Sequence, residues 1–298
     1  MKFALACDSS SVRSYYAKEG EVFTFDNVPY NRVHHIKNEC LMGFWNYPVL
    51  FDGYYINLGE ENYPFEDFDI IFAAIESNIG YLDVLKELYP KAKVVGTIKE
   101  ALKSKEVRNK LIKQTDSFTI PYLTFDYFKE YGYNTPKNIH RIPQPVNIEY
   151  LQKHFNVNKQ EHIFDYSNTW VGGRKGPNQQ LLSRLGYQVK QGSHSNWHEF
   201  IDMWKGSKYM LNLDPTNNFG QQATQCAALG TVMLGGFNDA HKVLYPELAL
   251  CNLDELAVKF DRLESDQDYY NQVLNYASSK LEELYSFNAV RNQIESIL

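Results

Sequence analysis

The run Asn212-Leu213-Asp214-Pro215-Thr216-Asn217-Asn218-Phe219-Gly220-Gln221-Gln222-Ala223-Thr224-Gln225-Cys226-Ala227-Ala228-Leu229-Gly230-Thr231-Val232-Met233-Leu234-Gly235-Gly236 decides how this chain folds. An apolar β-type stretch, Tyr209–Leu213, leads into it, and Pro215 with its Thr and Asn neighbours ends that stretch in a turn. Phe219-Gly220 then opens a helix of small residues, Gln221–Leu229, and Gly230 stops it, because glycine accepts the left-handed conformation that closes a helix. Thr231–Leu234 is apolar without alternation, as expected of a strand covered on both faces. Strand, turn, helix and strand in this order make one unit of a parallel α/β sheet.

The same alternation extends outward in both directions. Around the central run the spacing predicts strands His162–Tyr166, Tyr187–Lys190 and Leu248–Cys251, with helices Asn147–Phe155, Asn178–Arg184, Asn196–Trp204, Leu253–Leu263 and Tyr269–Leu284. Further upstream it predicts strands Lys2–Cys7, Val49–Phe51, Tyr54–Leu58, Asp69–Ile75, Lys93–Ile98, Phe118–Ile120 and Ile139–Ile142, with helices Gly80–Leu88, Lys99–Lys113 and Asp126–Tyr131. Pro143-Gln144-Pro145 breaks the series, since proline fixes φ and donates no hydrogen bond. The reading is therefore two Rossmann-like α/β domains facing across a cleft, 1–145 and 146–285, with 286–298 a C-terminal helix that packs back on the first. Ligands of such sheets sit beyond the carboxyl ends of the strands, so the loops after Cys7, Ile75, Tyr166, Leu213 and Leu234 are the functional ones.

Composition narrows the function classes. The 298 residues are 44% hydrophobic and 22% charged, a globular balance. No run is long and apolar enough to span a bilayer, and Phe3–Cys7 is too short for a secretory signal. The four cysteines are scattered and form no C-x-x-C pair, which points to a reducing cytoplasm rather than a disulfide or zinc framework. A net charge of −6 argues against a dedicated nucleic-acid binder. G-x-S-x-G and H-E-x-x-H are both missing, so neither a serine hydrolase nor a zinc peptidase is supported.

One further segment carries chemistry by its residue types. Trp170-Val171-Gly172-Gly173-Arg174-Lys175-Gly176-Pro177-Asn178 follows a strand and opens a helix. Its glycines let backbone approach a ligand closely, a helix start offers free N–H groups to an anion, and Arg174 and Lys175 add fixed positive charge. Together these suit a pyrophosphate. Asp67-Phe68-Asp69 resembles a metal-binding Asp pair, but it precedes a strand and reads as a solvated strand start. The histidines His34, His35, His194 and His198 lack partners at metal-ligand spacing. Lys99, Lys103, Lys105, Arg108, Lys110 and Lys113 form a basic helix, read as a solvated face with a contact surface for DNA phosphates or an anionic membrane as the alternative.

On the segments 172–176 and 212–236 the chain resembles the GT-B glycosyltransferases, especially the retaining glycogen-synthase/mannosyltransferase-like group, with the CgeB-like branch suggested by Tyr209–Leu213. Asp239–Glu247, Asn252–Leu256 and Tyr285-Ser286-Phe287 are similar to that family's tail, so the likeness spans roughly 138–298. The resemblance implies an N-terminal acceptor domain and a C-terminal donor domain. It implies transfer of a hexose from a nucleoside-diphosphate sugar, UDP-glucose by default, to an acceptor hydroxyl, with retention and with no metal or other cofactor. The acceptor stays open between a glycan, a lipid and a hydroxymethylated DNA base. Gly172, Gly173, Asn217, Asn218, Phe219, Gly220 and Gln225 are then donor-binding, while Arg174 and Lys175 stabilise the leaving diphosphate. On the acceptor side Glu76 is the first candidate to position or deprotonate the hydroxyl, Asp8 the second, and His34 or His35 would touch the sugar. Asn217 and Gln225 stand where the family carries paired glutamates; an amide hydrogen-bonds hydroxyls but holds no charge. That substitution keeps open an inactive nucleotide- or sugar-binding protein, and a nucleotide-sugar epimerase is the third reading.

Overall fold

Phe3–Cys7 is buried along its whole length, as a strand is when its sheet is covered on both faces. This strand, β1, pairs in parallel with β3 (Tyr54–Asn57) on one side and β4 (Ile70–Ala74) on the other. β5 (Lys93–Gly96), β6 (Ser117–Ile120) and β7 (Asn138–Arg141) extend the parallel ladder, and β2 (Tyr15–Tyr16) adds an antiparallel edge to β3. The order is β2-β3-β1-β4-β5-β6-β7. The computed structural model describes residues 1–8, 15–16, 43–59, 63–99, 104–165, 188–190, 197–212, 219–249 and 252–298.

Helices α1 (Gly80–Leu88), α2 (Lys105–Gln114) and α3 (Tyr127–Tyr131) link the later strands. Ser104 sets the start of α2 by accepting a hydrogen bond from the N–H of Val107, so the helix begins at 105 rather than at 99. The expected strand Val49–Phe51 is instead a 3₁₀ turn, Pro48–Phe51. Pro48 at its first position has no N–H to give a ladder, and Asp52 closes it in the left-handed region at φ 48°. The turn points Val49 and Leu50 into a core shared with Phe3, Trp45, Tyr47 and Phe72.

The second sheet holds β8 (Gln160–Asp165), β9 (Gln188–Lys190), β10 (Ser207–Leu211) and β11 (Val232–Leu234), all parallel, in the order β11-β10-β8-β9 among the described residues. Its helices are α4 (Ile148–Phe155), α5 (Trp197–Trp204), α6 (Gln221–Leu229), α7 (Asp239–Leu244), α8 (Leu253–Ser265) and α9 (Gln267–Tyr285). Helix α7 is absent from the sequence reading; Asn238 starts it by accepting from the N–H of His241. The described part of the expected strand Leu248–Cys251 is a turn, in which the Leu248 N–H donates to Tyr245 and the Leu248 carbonyl accepts from Gly235.

A last helix, α10 (Phe287–Glu295), returns to the first core and adds Val290, Ile294 and the following Ile297 to it. The chain thus divides into Met1–Pro145 with Phe287–Leu298, and Val146–Ser286. Each sheet carries one topological switch point among its described strands. In the first, the chain goes from β1 to β3 on one side and to β4 on the other; in the second, β8 has β9 on one side and β10 on the other. Ligands of open parallel sheets bind at such points, beyond the carboxyl ends of the two flanking strands.

Candidate functional site

In the second unit the switch point lies between β8 and β10. The segment that follows β8 in sequence contains Gly172, Gly173, Arg174 and Lys175, and the one that follows β10 contains Asn217 and Asn218. All six lie outside the described residues. What is described is the floor of this end of the sheet. Phe219 is partly exposed, and Gly220 sits at φ 80° immediately before α6. A Cβ on Gly220 would lie 2.2 Å from Oδ1 of Asn238, so only glycine fits there. Gly236, at φ 91°, is pressed in the same way against the ring of His241 and the carbonyl of Asn212. The ends of β10 and β11 and the start of α6 therefore meet backbone to side chain around Asn238 and His241.

The polar groups beneath this floor are buried: Asn212, Gln225, Asn238, Asp239 and His241 are each at most 3% exposed. His241 donates from Nε2 to the carbonyl of Met233, and burial outweighs that hydrogen bond, favouring the neutral ring and pushing its pKa down to about 4. Nδ1 of His241 and Nδ2 of Asn238 make no hydrogen bond among the described residues. Gln225 lies in the second turn of α6 on its buried side. Sequence reasoning missed Gly236, Asn238 and His241. The available signal was Gly235-Gly236 directly after a buried strand, followed by Asn238-Asp239, a helix-start pair.

In the first unit the switch point brings two candidates together. Asp8 leaves β1 and Glu76 follows β4, and the backbone N–H of Glu76 donates to both carboxylate oxygens of Asp8, at 3.0 and 2.9 Å. The Glu76 side chain turns inward. Its Oε1 accepts from Arg108 Nη2 at 3.4 Å and from the N–H of Lys99 at 3.3 Å, while Arg108 Nη1 donates to the Thr97 carbonyl. Side-chain exposure is 1% for Arg108 and 6% for Glu76, so this is a buried ion pair, and removing either partner strands the other's charge. Arg108 consequently leaves the basic face expected of its helix. Of the rest, Lys110 pairs with Glu106, Lys99 lies over the Trp45 ring, and Lys103 lies outside the described residues.

His34 and His35 also lie outside the described residues. Asp67 and Asp69 sit at the amino end of β4, away from the switch point; Asp67 pairs with exposed Lys91, and Asp69 accepts from the N–H of Lys2. Among the described residues no group of three His, Cys, Asp or Glu side chains could hold a metal ion, and Cys7 and Cys226 are buried thiols outside any disulfide. No described helix is long and apolar enough to cross a membrane.

No family model matches the sequence, and no curated protein does. Solved structures match the fold. HepE from Anabaena, solved in complex with UDP-glucose, superposes with a TM-score of 0.53 at 12% identity, over 77% of this chain and 78% of that one. An α-glucosyltransferase solved with UDP-glucose and DNA containing an abasic site gives 0.52 at 11% identity, over 78% and 80%. Sucrose-phosphate synthase from Thermosynechococcus elongatus gives 0.51 at 11%, over 77% and 73%. The chain has the GT-B fold. A GT-B chain built on two doubly wound units explains why both sheets here carry a switch point. At these identities the likeness extends to the fold and leaves the chemistry to the site itself.

Proposed function

We propose that this protein is a glycosyltransferase that moves a hexose from a nucleoside-diphosphate sugar, UDP-glucose by default, to an acceptor hydroxyl. One observation carries the reading. The two strands that flank the switch point of the second sheet are the ones followed in sequence by Gly172–Lys175 and by Asn217–Gly220. A diphosphate held there would meet glycine backbone, two cations and the start of α6. Structures of the same fold that carry UDP-glucose support the choice of donor.

In this reading charge develops on the leaving diphosphate as the glycosidic bond breaks. Arg174 and Lys175 stabilise it, together with backbone N–H groups of Gly172, Gly173 and the Phe219-Gly220 turn, and no metal is required. Asn217, Asn218 and Gln225 hydrogen-bond the sugar and ribose hydroxyls. Glu76 belongs to the acceptor side, where its ion pair with Arg108 fixes the loop after β4. His34 or His35 contacts the sugar. Transfer proceeds with retention, in the cytoplasm, to a glycan, a lipid or a hydroxymethylated DNA base.

The test is thermal. A nucleotide at about 100 times its Kd stabilises a protein by roughly 2.7 kcal/mol. UDP and UDP-glucose are expected to raise Tm, and Arg174→Ala to abolish the rise. No rise with any nucleoside diphosphate would end the reading. The amides at 217 and 225 favour a second one, a protein that binds the nucleotide sugar without turnover. Asn217→Glu combined with Gln225→Glu separates the two in a UDP-glucose turnover assay. An enzyme adapted to amides loses rate, whereas a binding protein that has lost its carboxylates shows none before the change and gains some after it.

A further inference from the structure

The carboxylate of Asp8 is already engaged. Its Oδ2 accepts from the backbone N–H groups of Glu76 at 2.9 Å, Ser77 at 2.6 Å and Asn78 at 3.2 Å, and from Ser77 Oγ at 2.8 Å; Oδ1 accepts from the Glu76 N–H at 3.0 Å. Three successive N–H groups aimed at one oxygen form an anion nest. This nest lies at the switch point between β1 and β4, where a doubly wound sheet would receive a phosphate. The occupant belongs to the chain itself.

We propose that Asp8 is a resident anion. It fills the nest of the first sheet, keeps that nest closed to phosphate, and fixes the turn 76–78 so that exposed Ser77 and Asn78 stand at the carboxyl edge of the sheet. The turn is held from its other side by Arg108 and the Lys99 N–H on Glu76, and Asn78 Oδ1 accepts from the Gly80 N–H at the start of α1. Asp8 is therefore a positioning residue and not the base that takes the acceptor proton. On the glycosyltransferase reading, on which this consequence rests, the donor diphosphate is left to the second unit, and Ser77 and Asn78 become polar acceptor contacts suited to a hydroxylated molecule.

The experiment is chemical rescue of Asp8→Ala. Hydrogen bonds to a carboxylate are among the stronger ones, so amide exchange at 76–78 is expected to speed up roughly ten- to a hundredfold. Millimolar formate or inorganic phosphate should restore protection at those amides, and chloride should not. Titration calorimetry should detect one phosphate site more in the variant than in the wild type. Asp8→Asn, which keeps one accepting oxygen and the fold, should exchange at an intermediate rate with a weaker response to formate. Unchanged protection in Asp8→Ala, or the same number of phosphate sites in wild type and variant, overturns the proposal. None of these readings needs a nucleotide. A wild type that ignores UDP would end the donor assignment and leave Asp8 standing as the resident anion; a variant that keeps the UDP shift but shows no rescue would do the reverse.

Discussion

Two glycines with nearly the same backbone geometry have different work to do. Gly220 and Gly230 flank α6 at φ 80° and 67°. A side chain at Gly230 would meet nothing nearer than Lys159 Cε at 3.9 Å, so Gly230→Ala carries the left-handed penalty alone, about 1 kcal/mol. At Gly220 the new Cβ would run into Asn238 Oδ1 at 2.2 Å and disturb the cap of α7. Gly220→Ala is expected to cost about 3 kcal/mol in urea denaturation, the left-handed penalty plus displacement of a cap and its packing. It should also weaken the UDP response, whereas Gly230→Ala should leave that response intact. Equal costs at the two positions would mean that the contact with Asn238 is not what fixes the turn.

At the scale of elements, α10 is last in the sequence but belongs to the first core. Ile294 is fully buried among residues of β1, β4 and the Pro48–Phe51 turn. Ile294→Ala should destabilise the protein by about 3 kcal/mol, the usual cost of emptying a core position. Hydrogen exchange is expected to show the loss in β1 and β4, with β10 and β11 protected as before. Loss confined to β10 and β11 would contradict the division of the chain. The basic helix teaches a related lesson. Its lysines and Arg108 look alike in sequence, but Arg108 falls on the side of α2 that packs inward and finds Glu76 there. Helical spacing alone does not tell which cation meets a carboxylate from a distant strand.

For the whole molecule, acid sensitivity follows from His241. Its folded pKa lies near 4, below the ordinary value of 6.5, so the unfolded chain takes up the proton first. Stability attached to this group is complete above pH 6.5 and is lost as the pH falls toward 4, by about 3 kcal/mol in all. Lys159 is lowered in the same sense, to about 8, and acts only in a separate alkaline window. His241→Gln should therefore flatten the decline of Tm between pH 6.5 and 4 relative to wild type. Parallel curves for the two proteins would place the acid sensitivity elsewhere.

The order of strands and helices was open to reading because it rests on local periodicity: Phe3–Cys7, Ile70–Ala74 and Val232–Leu234 lie in short, unbroken apolar runs, and each is a buried parallel strand. The expectation that ligands meet the loops after Cys7, Ile75, Tyr166, Leu213 and Leu234 rests on the same order, since a parallel sheet presents ligands at its carboxyl ends whatever its side chains are. Where local and distant contacts compete, the sequence was silent. Val49–Phe51 has strand composition, but Pro48 and the core beneath it favour a turn. Asp8 and Glu76 both read as candidates to position or deprotonate an acceptor hydroxyl; in the fold one accepts the amides of 76–78 and the other the guanidinium of Arg108. Both partnerships join residues far apart in the chain, and only folding brings such groups within hydrogen-bond distance.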